Sequence, residues 1–244
     1  MDSSKAPSRE PPVPLERWLR ELQAEVAPPF LLGGTGHLVL APNEERYVDR
    51  RLGQVVLPRI LDLAAGRELL VLTGLAPGAD HLFSRITLAL LQRLRLPHRL
   101  VGLLPLPIDA MLEDWADKVR SQPDFTESRY EQQRQQMLKE VDACNLIIHL
   151  MPPGTTAESI ADEGFRQLQY RRLAACLAEQ TDALVAILRD GSTSQPGGTA
   201  EVVQWRREPQ RVPAEITTLA LRHSEAALHG ALFVIAPEGD TGRG

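Results

Sequence analysis

The chain has 244 residues, of which 43% are hydrophobic, and a formal net charge of −5 at pH 7. This acidic balance argues against a surface that binds nucleic acid by neutralising phosphates, and no segment is apolar for long enough to predict a membrane span. The two cysteines, Cys144 and Cys176, lie in separate apolar segments, as core thiols in a reducing compartment do. We therefore expect a cytoplasmic protein that makes no membrane contact.

The N-terminal part of the chain changes character at residue 15. Residues 1–14 are polar and contain four prolines, which predicts a disordered leader. In residues 15–26 apolar side chains recur with a helical period, which predicts a helix that docks on the domain or contacts a partner. Residues 30–32 then predict a first strand, and the glycines of residues 33–37 predict a loop that ends it.

A second unit follows with the same order of elements. After a helix predicted over residues 44–65, with Pro58 as a kink, residues 69–72 predict a strand buried on both faces. This strand stops at Thr73 and turns through Pro77-Gly78 into a helix predicted over 79–94. Such a turn places backbone N–H groups at the carboxyl edge of a parallel sheet, where anions bind, but it is equally typical of a plain strand–helix connection.

The remaining pattern extends one domain over residues 15–236, with a flexible tail at 237–244. Further strands are predicted at 99–105, 145–150, 182–188 and 232–235, and further helices at 108–119, 127–141 and 160–179. Gly197 and Gly198 predict a tight loop that opens a helix capped by Thr199. This order predicts an α/β fold, a Rossmann-like three-layer αβα sandwich with a mostly parallel sheet of five or six strands.

Three segments together resemble a known superfamily. Residues 73–82 (TGLAPGADHL), followed by 103–107 (LLPLP), resemble the Rossmann-like proteins of the SLOG superfamily, which relates DprA/Smf proteins to the LOG phosphoribohydrolases. Residues 183–191 (ALVAILRDG) with 196–203 (PGGTAEVV) are similar to the second half of the same signature. Residues 34–37 (GTGH) are similar to the Gly-His pair that often opens these domains.

The resemblance implies a site for a nucleotide or nucleotide derivative above the sheet, with its phosphates held by the glycine loops. No other cofactor is implied, and the six histidines show no metal-binding spacing. The ligand-binding residues implied by these loops are Gly36, His37, Thr73, Gly74, Gly78, Ala79, Asp80, Gly197, Gly198, Thr199 and Glu201.

Two functions stay open from the sequence. The first is a ligand sensor, as many SLOG relatives are thought to be in bacterial signalling or defence, with a second copy of the chain or an effector protein as its partner. The alternative is a LOG-like hydrolase of the N-glycosidic bond of a nucleoside monophosphate, with Glu201 or Asp80 as the catalytic carboxylate. LOG enzymes carry PGGxGTxxE, whereas residues 196–201 read PGGTAE. Either carboxylate also fits the first turn of a helix for electrostatic reasons alone.

Overall fold

The computed structural model describes residues 12–120, 126–193, 195–218 and 230–237. In this part of the chain seven strands form one sheet, all parallel, in the order β1-β5-β4-β3-β2-β6-β7. The strands are β1 (Val13–Pro14), β2 (Phe30–Gly36), β3 (Leu69–Thr73), β4 (His98–Leu104), β5 (Leu146–His149), β6 (Ala183–Ile187) and β7 (Ala231–Ile235).

Helices connect the strands and cover both faces of the sheet. They are α1 (Leu15–Gln23), α2 (Pro42–Arg51), α3 (Leu57–Ala64), α4 (Ala79–Leu94), α5 (Ile108–Arg120), α6 (Glu127–Ala143), α7 (Ala157–Ala161), α8 (Glu163–Gln180) and α9 (Thr199–Arg207). Among the described residues no helix is both long enough and apolar enough to cross a lipid bilayer.

The buried side chains of each strand alternate between two cores. Leu31 and Leu72 pack in one core with α1, α8 and α9, whereas Leu32 and Val71 pack in the other with α2, α3 and α4. A third cluster joins α5 and α6 to β4 and β5. Strands that are apolar on both faces require this double cover. The predicted α/β three-layer fold is therefore confirmed, with a sheet that is parallel throughout.

The N-terminal helix docks on the domain, as one of the two predicted alternatives stated. Trp18 and Leu19 of α1 are buried in the core. The preceding strand β1 was not predicted, because a two-residue strand has too little length for a periodic pattern; it pairs Val13 with Ile148 of β5. The sheet thus begins at Val13, inside the predicted leader and two residues before the predicted start of the domain at residue 15. Residues 1–11 of that leader and 238–244 of the predicted tail lie outside the described residues.

The helix predicted over 44–65 is divided by one π-helical turn, residues Leu52–Val56, between α2 and α3. Proline has no backbone N–H, so Pro58 cannot continue the regular ladder of i to i−4 hydrogen bonds. The preceding N–H, that of Leu57, reaches back five residues to the carbonyl of Leu52 instead. A widened turn therefore accommodates Pro58 without ending the helical path.

The predicted glycine loop at residues 33–37 is wrong. Residues Gly33–Gly36 continue β2 and pair with β6, and Gly33 and Gly34 also pair with β3, whereas residues 38–40 do not form a strand. The glycines are needed for packing rather than for a turn. A Cβ on Gly34 would lie 2.0 Å from the Phe83 ring, and a Cβ on Gly33 would lie 2.6 Å from the Thr181 methyl group.

Candidate functional site

The crossovers of the sheet reverse direction between β2 and β6. From β2 the chain proceeds through α2 and α3 to β3 on one side, and from β6 it proceeds through α9 to β7 on the other. In open parallel sheets such a reversal leaves a crevice outside the carboxyl ends of the two adjacent strands, and ligands bind there.

A cleft of about 260 Å³ lies at this point of the fold. It is bounded by the residue after β2, by the loop after β6 and by the first residues of α9. Its lining residues are His37, Leu188, Ser192, Thr193, Gln195, Gly198, Thr199 and Ala200. Among the described residues the lining contains no Asp, Glu, Lys or Arg, and these residues offer hydroxyl, amide and imidazole groups rather than formal charges.

One wall of the cleft is the N-terminus of α9. The prediction that Thr199 caps this helix is wrong: Thr199 is its first residue, and the cap residue is the extended Gly198, which has no side chain to cap with. In the described part of the chain no acceptor binds the N–H of Thr199 or Ala200. The chain reaches this position through Gly197, which must be glycine because its φ is +73° and an added Cβ would lie 2.7 Å from the Tyr170 Cβ. Two N–H groups without an acceptor among the described residues therefore lie at the positive end of the helix dipole, in residues that line a polar cleft, and helix N-termini of this kind bind anions.

His37 forms the opposite wall and is held in a defined protonation form. Its Nε2 accepts the backbone N–H of Arg189 at 2.9 Å, so this nitrogen carries no proton and the neutral ring carries its proton on Nδ1. Burial lowers the pKa of His37, the Arg189 charge lowers it further, and the Glu44 charge opposes this. The ring is thus neutral at pH 7 and has Nδ1–H as its donor.

In the loop between β3 and α4, the predicted site residues make hydrogen bonds within the protein. Burial raises the pKa of Asp80 to about 8, with the Glu140 charge adding to the effect, although its carboxyl oxygens accept the backbone N–H groups of Ala76, Gly36 and Gly74. The Thr73 hydroxyl accepts the N–H of Leu75 at 3.1 Å. The N–H groups of Gly74, Leu75, Ala76 and Ala79 are therefore occupied within the protein.

Glu201 is likewise engaged by neighbours. Its Oε2 accepts the N–H of Gly197 at 2.7 Å, and its Oε1 lies 3.0 Å from Nη2 of Arg171 on α8. The carboxylate closes the first turn of α9 and ties it to α8. It does not belong to the cleft lining, and neither does Asp80.

The structure brings together only part of the predicted set. His37, Gly198 and Thr199 line one cleft. Gly78 and Ala79 pack behind it, where the N–H of Ala79 donates to the carbonyl of His37 at 3.0 Å. The residues missed from the sequence are those of the loop after β6, Ser192, Thr193 and Gln195, together with Leu188 and Ala200. Their position after a predicted strand was the signal that could have found them.

Within the described residues no group of three or more His, Cys, Asp or Glu side chains is arranged to hold a metal ion. No protein-family model matches the chain, and no curated protein matches it significantly in sequence.

Proposed function

We propose that this protein binds a nucleotide or nucleotide derivative in the cleft between β2 and β6, with a phosphate group at the N-terminus of α9. The observation that carries the proposal is the pair of N–H groups of Thr199 and Ala200, which open on a polar cleft at the reversal point of the sheet. The SLOG resemblance supports the same ligand class and a role as a cytoplasmic sensor in signalling or defence.

The chemistry of the lining suits such a ligand. The Thr193 hydroxyl and the Gln195 amide can donate to a ribose or phosphate oxygen, and Leu188 adds an apolar surface. The Ser192 hydroxyl donates to the Arg189 carbonyl and can accept a hydrogen bond from a ribose hydroxyl. A volume of about 260 Å³ lies near the lower end of small-molecule sites, so the cleft would enclose part of a nucleotide and leave the rest exposed.

Replacing Thr199 with proline is expected to weaken the binding of AMP by about tenfold to a hundredfold, because it removes one N–H that would donate to a charged phosphate. The fold should tolerate this change, since Thr199 is the first residue of α9 and Gly198 has the extended conformation (ψ 165°) that precedes proline. Isothermal titration calorimetry measures the affinity, and thermal unfolding confirms that the variant is folded.

Thr199→Ala is the matched control, because it removes the hydroxyl but retains the N–H. Equal losses in the proline and alanine variants would contradict a phosphate contact at this N–H. If AMP, ADP-ribose, NAD and cyclic nucleotides all fail to raise the melting temperature of the wild-type protein at millimolar concentration, nucleotide binding itself is contradicted.

The hydrolase alternative gives a different result in the same sample. For a binding protein, we expect AMP to be recovered intact after prolonged incubation, because Glu201 is engaged by Gly197 and Arg171. Release of free adenine, measured by liquid chromatography, would favour the hydrolase. In that case Glu201→Gln should abolish turnover and leave AMP affinity nearly unchanged; for a binding protein, the same variant changes affinity only slightly and has no turnover to lose.

A further inference from the structure

The guanidinium group of Arg189 is held by one carboxylate near the cleft. Its Nε and Nη2 donate to Oε1 and Oε2 of Glu44 at 2.8 and 2.7 Å, and Nη2 also lies 3.0 Å from the carbonyl of Val39. Paired N–H groups on a carboxylate fix both distance and orientation. Arg189 therefore has a defined position although its side chain is 35% exposed.

Glu44 is itself held in the position from which it binds the Arg189 guanidinium group. It is buried in the first turn of α2, and its Oε2 accepts the N–H of Ala41 at 2.6 Å. The hydrogen bonds from Arg189 lower the pKa of Glu44, burial opposes this, and the N–H of Ala41 lowers the pKa further, so Glu44 remains ionised at neutral pH. The carboxylate thus links the start of α2 to the end of β6.

The backbone of Arg189 then acts on His37. The N–H of Arg189 binds the His37 Nε2, and the Ser192 hydroxyl donates to the carbonyl of Arg189 at 2.8 Å, which fixes the same peptide segment. Among the described residues, the charged groups that act on the His37 ring are Arg189 and Glu44. An arginine whose side chain is held in place keeps its own N–H directed at the ring.

We propose that Glu44 is a positioning residue of the cleft, which acts through Arg189 to keep the proton of the neutral His37 ring on Nδ1. The role of this arrangement in ligand binding rests on the proposed function. The ligand phosphate would meet the uncharged Nδ1–H donor of His37 rather than an imidazolium. Because Glu44 already neutralises Arg189, the site would recognise phosphate through dipoles and hydrogen bonds alone.

The test observes the His37 ring directly, in the full chain without ligand. Long-range ¹H–¹⁵N correlation spectra at pH 7, with His37→Gln to assign the signal among the six histidines, report which ring nitrogen carries the proton. We expect Nδ1–H in the wild-type protein and a mixture of both tautomers in Glu44→Gln. Glu45→Gln makes the same chemical change on the next residue, which is exposed, and its His37 signals should match those of the wild-type protein. Arg189→Lys, which cannot form the paired contact, should reproduce Glu44→Gln and replaces it if that variant does not fold.

A proton on Nε2 in the wild-type protein, or an unchanged tautomer in folded Glu44→Gln or Arg189→Lys, would overturn the inference. A second arm titrates AMP, and we expect a three- to tenfold loss of affinity in Glu44→Gln but none in Glu45→Gln. If wild-type protein does not bind AMP, the proposed function is contradicted, while the ligand-free spectra still decide the role of Glu44. An unchanged AMP affinity in Glu44→Gln with mixed tautomers would contradict the contact between His37 and the ligand.

Discussion

Replacing Gly34 with alanine is expected to lower the free energy of unfolding by about 3 kcal/mol, at the upper end of the usual cost of overpacking. The new Cβ would lie 2.0 to 2.4 Å from three carbons of the Phe83 ring, and Phe83 is fully buried. Gly34 lies in the middle of β2 with a strand on each side, so the backbone cannot move away. Chemical denaturation of the two proteins measures the difference.

A double-mutant cycle with Phe83→Ala separates the clash from a general intolerance of β2. Phe83→Ala alone should cost about 3–5 kcal/mol through the cavity that it leaves. In the double variant the new methyl group enters that cavity, so the combined cost should fall short of the sum by about 1–3 kcal/mol. Additive costs would contradict the proposed contact. Gly53→Ala makes the same change on a helix, with only an ordinary 3.7 Å contact to Ile86, and should not destabilise the protein.

The glycines of β2 illustrate which structural features can be predicted from the sequence and which cannot. Local patterns were sufficient for α4, predicted and found at 79–94, and for the start of α9 at Thr199. In residues 33–36 the composition predicts a loop, but the conformation is decided by Phe83 and Thr181, which are distant in sequence. Tertiary packing overrides local preference there, and a single sequence does not show which side chain will occupy the space above a glycine.

The candidate site also combines features that the local sequence predicts with features that depend on residues distant in sequence. A glycine turn predicts the N-terminus of α9 at the sheet edge, because that depends only on the order of strand and helix. Whether the N–H groups at such a helix N-terminus can bind a ligand depends on whether a side chain of the protein already accepts their hydrogen bonds. The loop before α4 has the same local pattern, yet its donors bind Asp80, whereas those of Thr199 and Ala200 face the cleft. The pair of Glu44 and Arg189, 145 residues apart, has no local signal at all.

Asp80→Asn is expected to remove a pH dependence from the stability of the fold. In the folded protein burial raises the pKa of Asp80 to about 8, whereas the unfolded chain releases this proton near pH 4. Between these values the folded state binds one proton more than the unfolded state, so the Asp80 contribution to stability falls as the pH rises. The slope is about 1.4 kcal/mol per pH unit for one proton.

The measurement is the difference in unfolding free energy between wild-type protein and Asp80→Asn at several pH values from 4 to 8. We expect the advantage of the wild-type protein to shrink with rising pH, because asparagine cannot ionise. Asp109→Asn makes the same change at the second residue of α5, where the side chain is exposed, and should give a difference that varies little with pH. An advantage that grows with pH would mean that three backbone N–H groups hold Asp80 ionised against burial and Glu140. The loop before α4 would then carry a negative charge close to Gly36 and the cleft, and phosphate binding would have to occur against that charge.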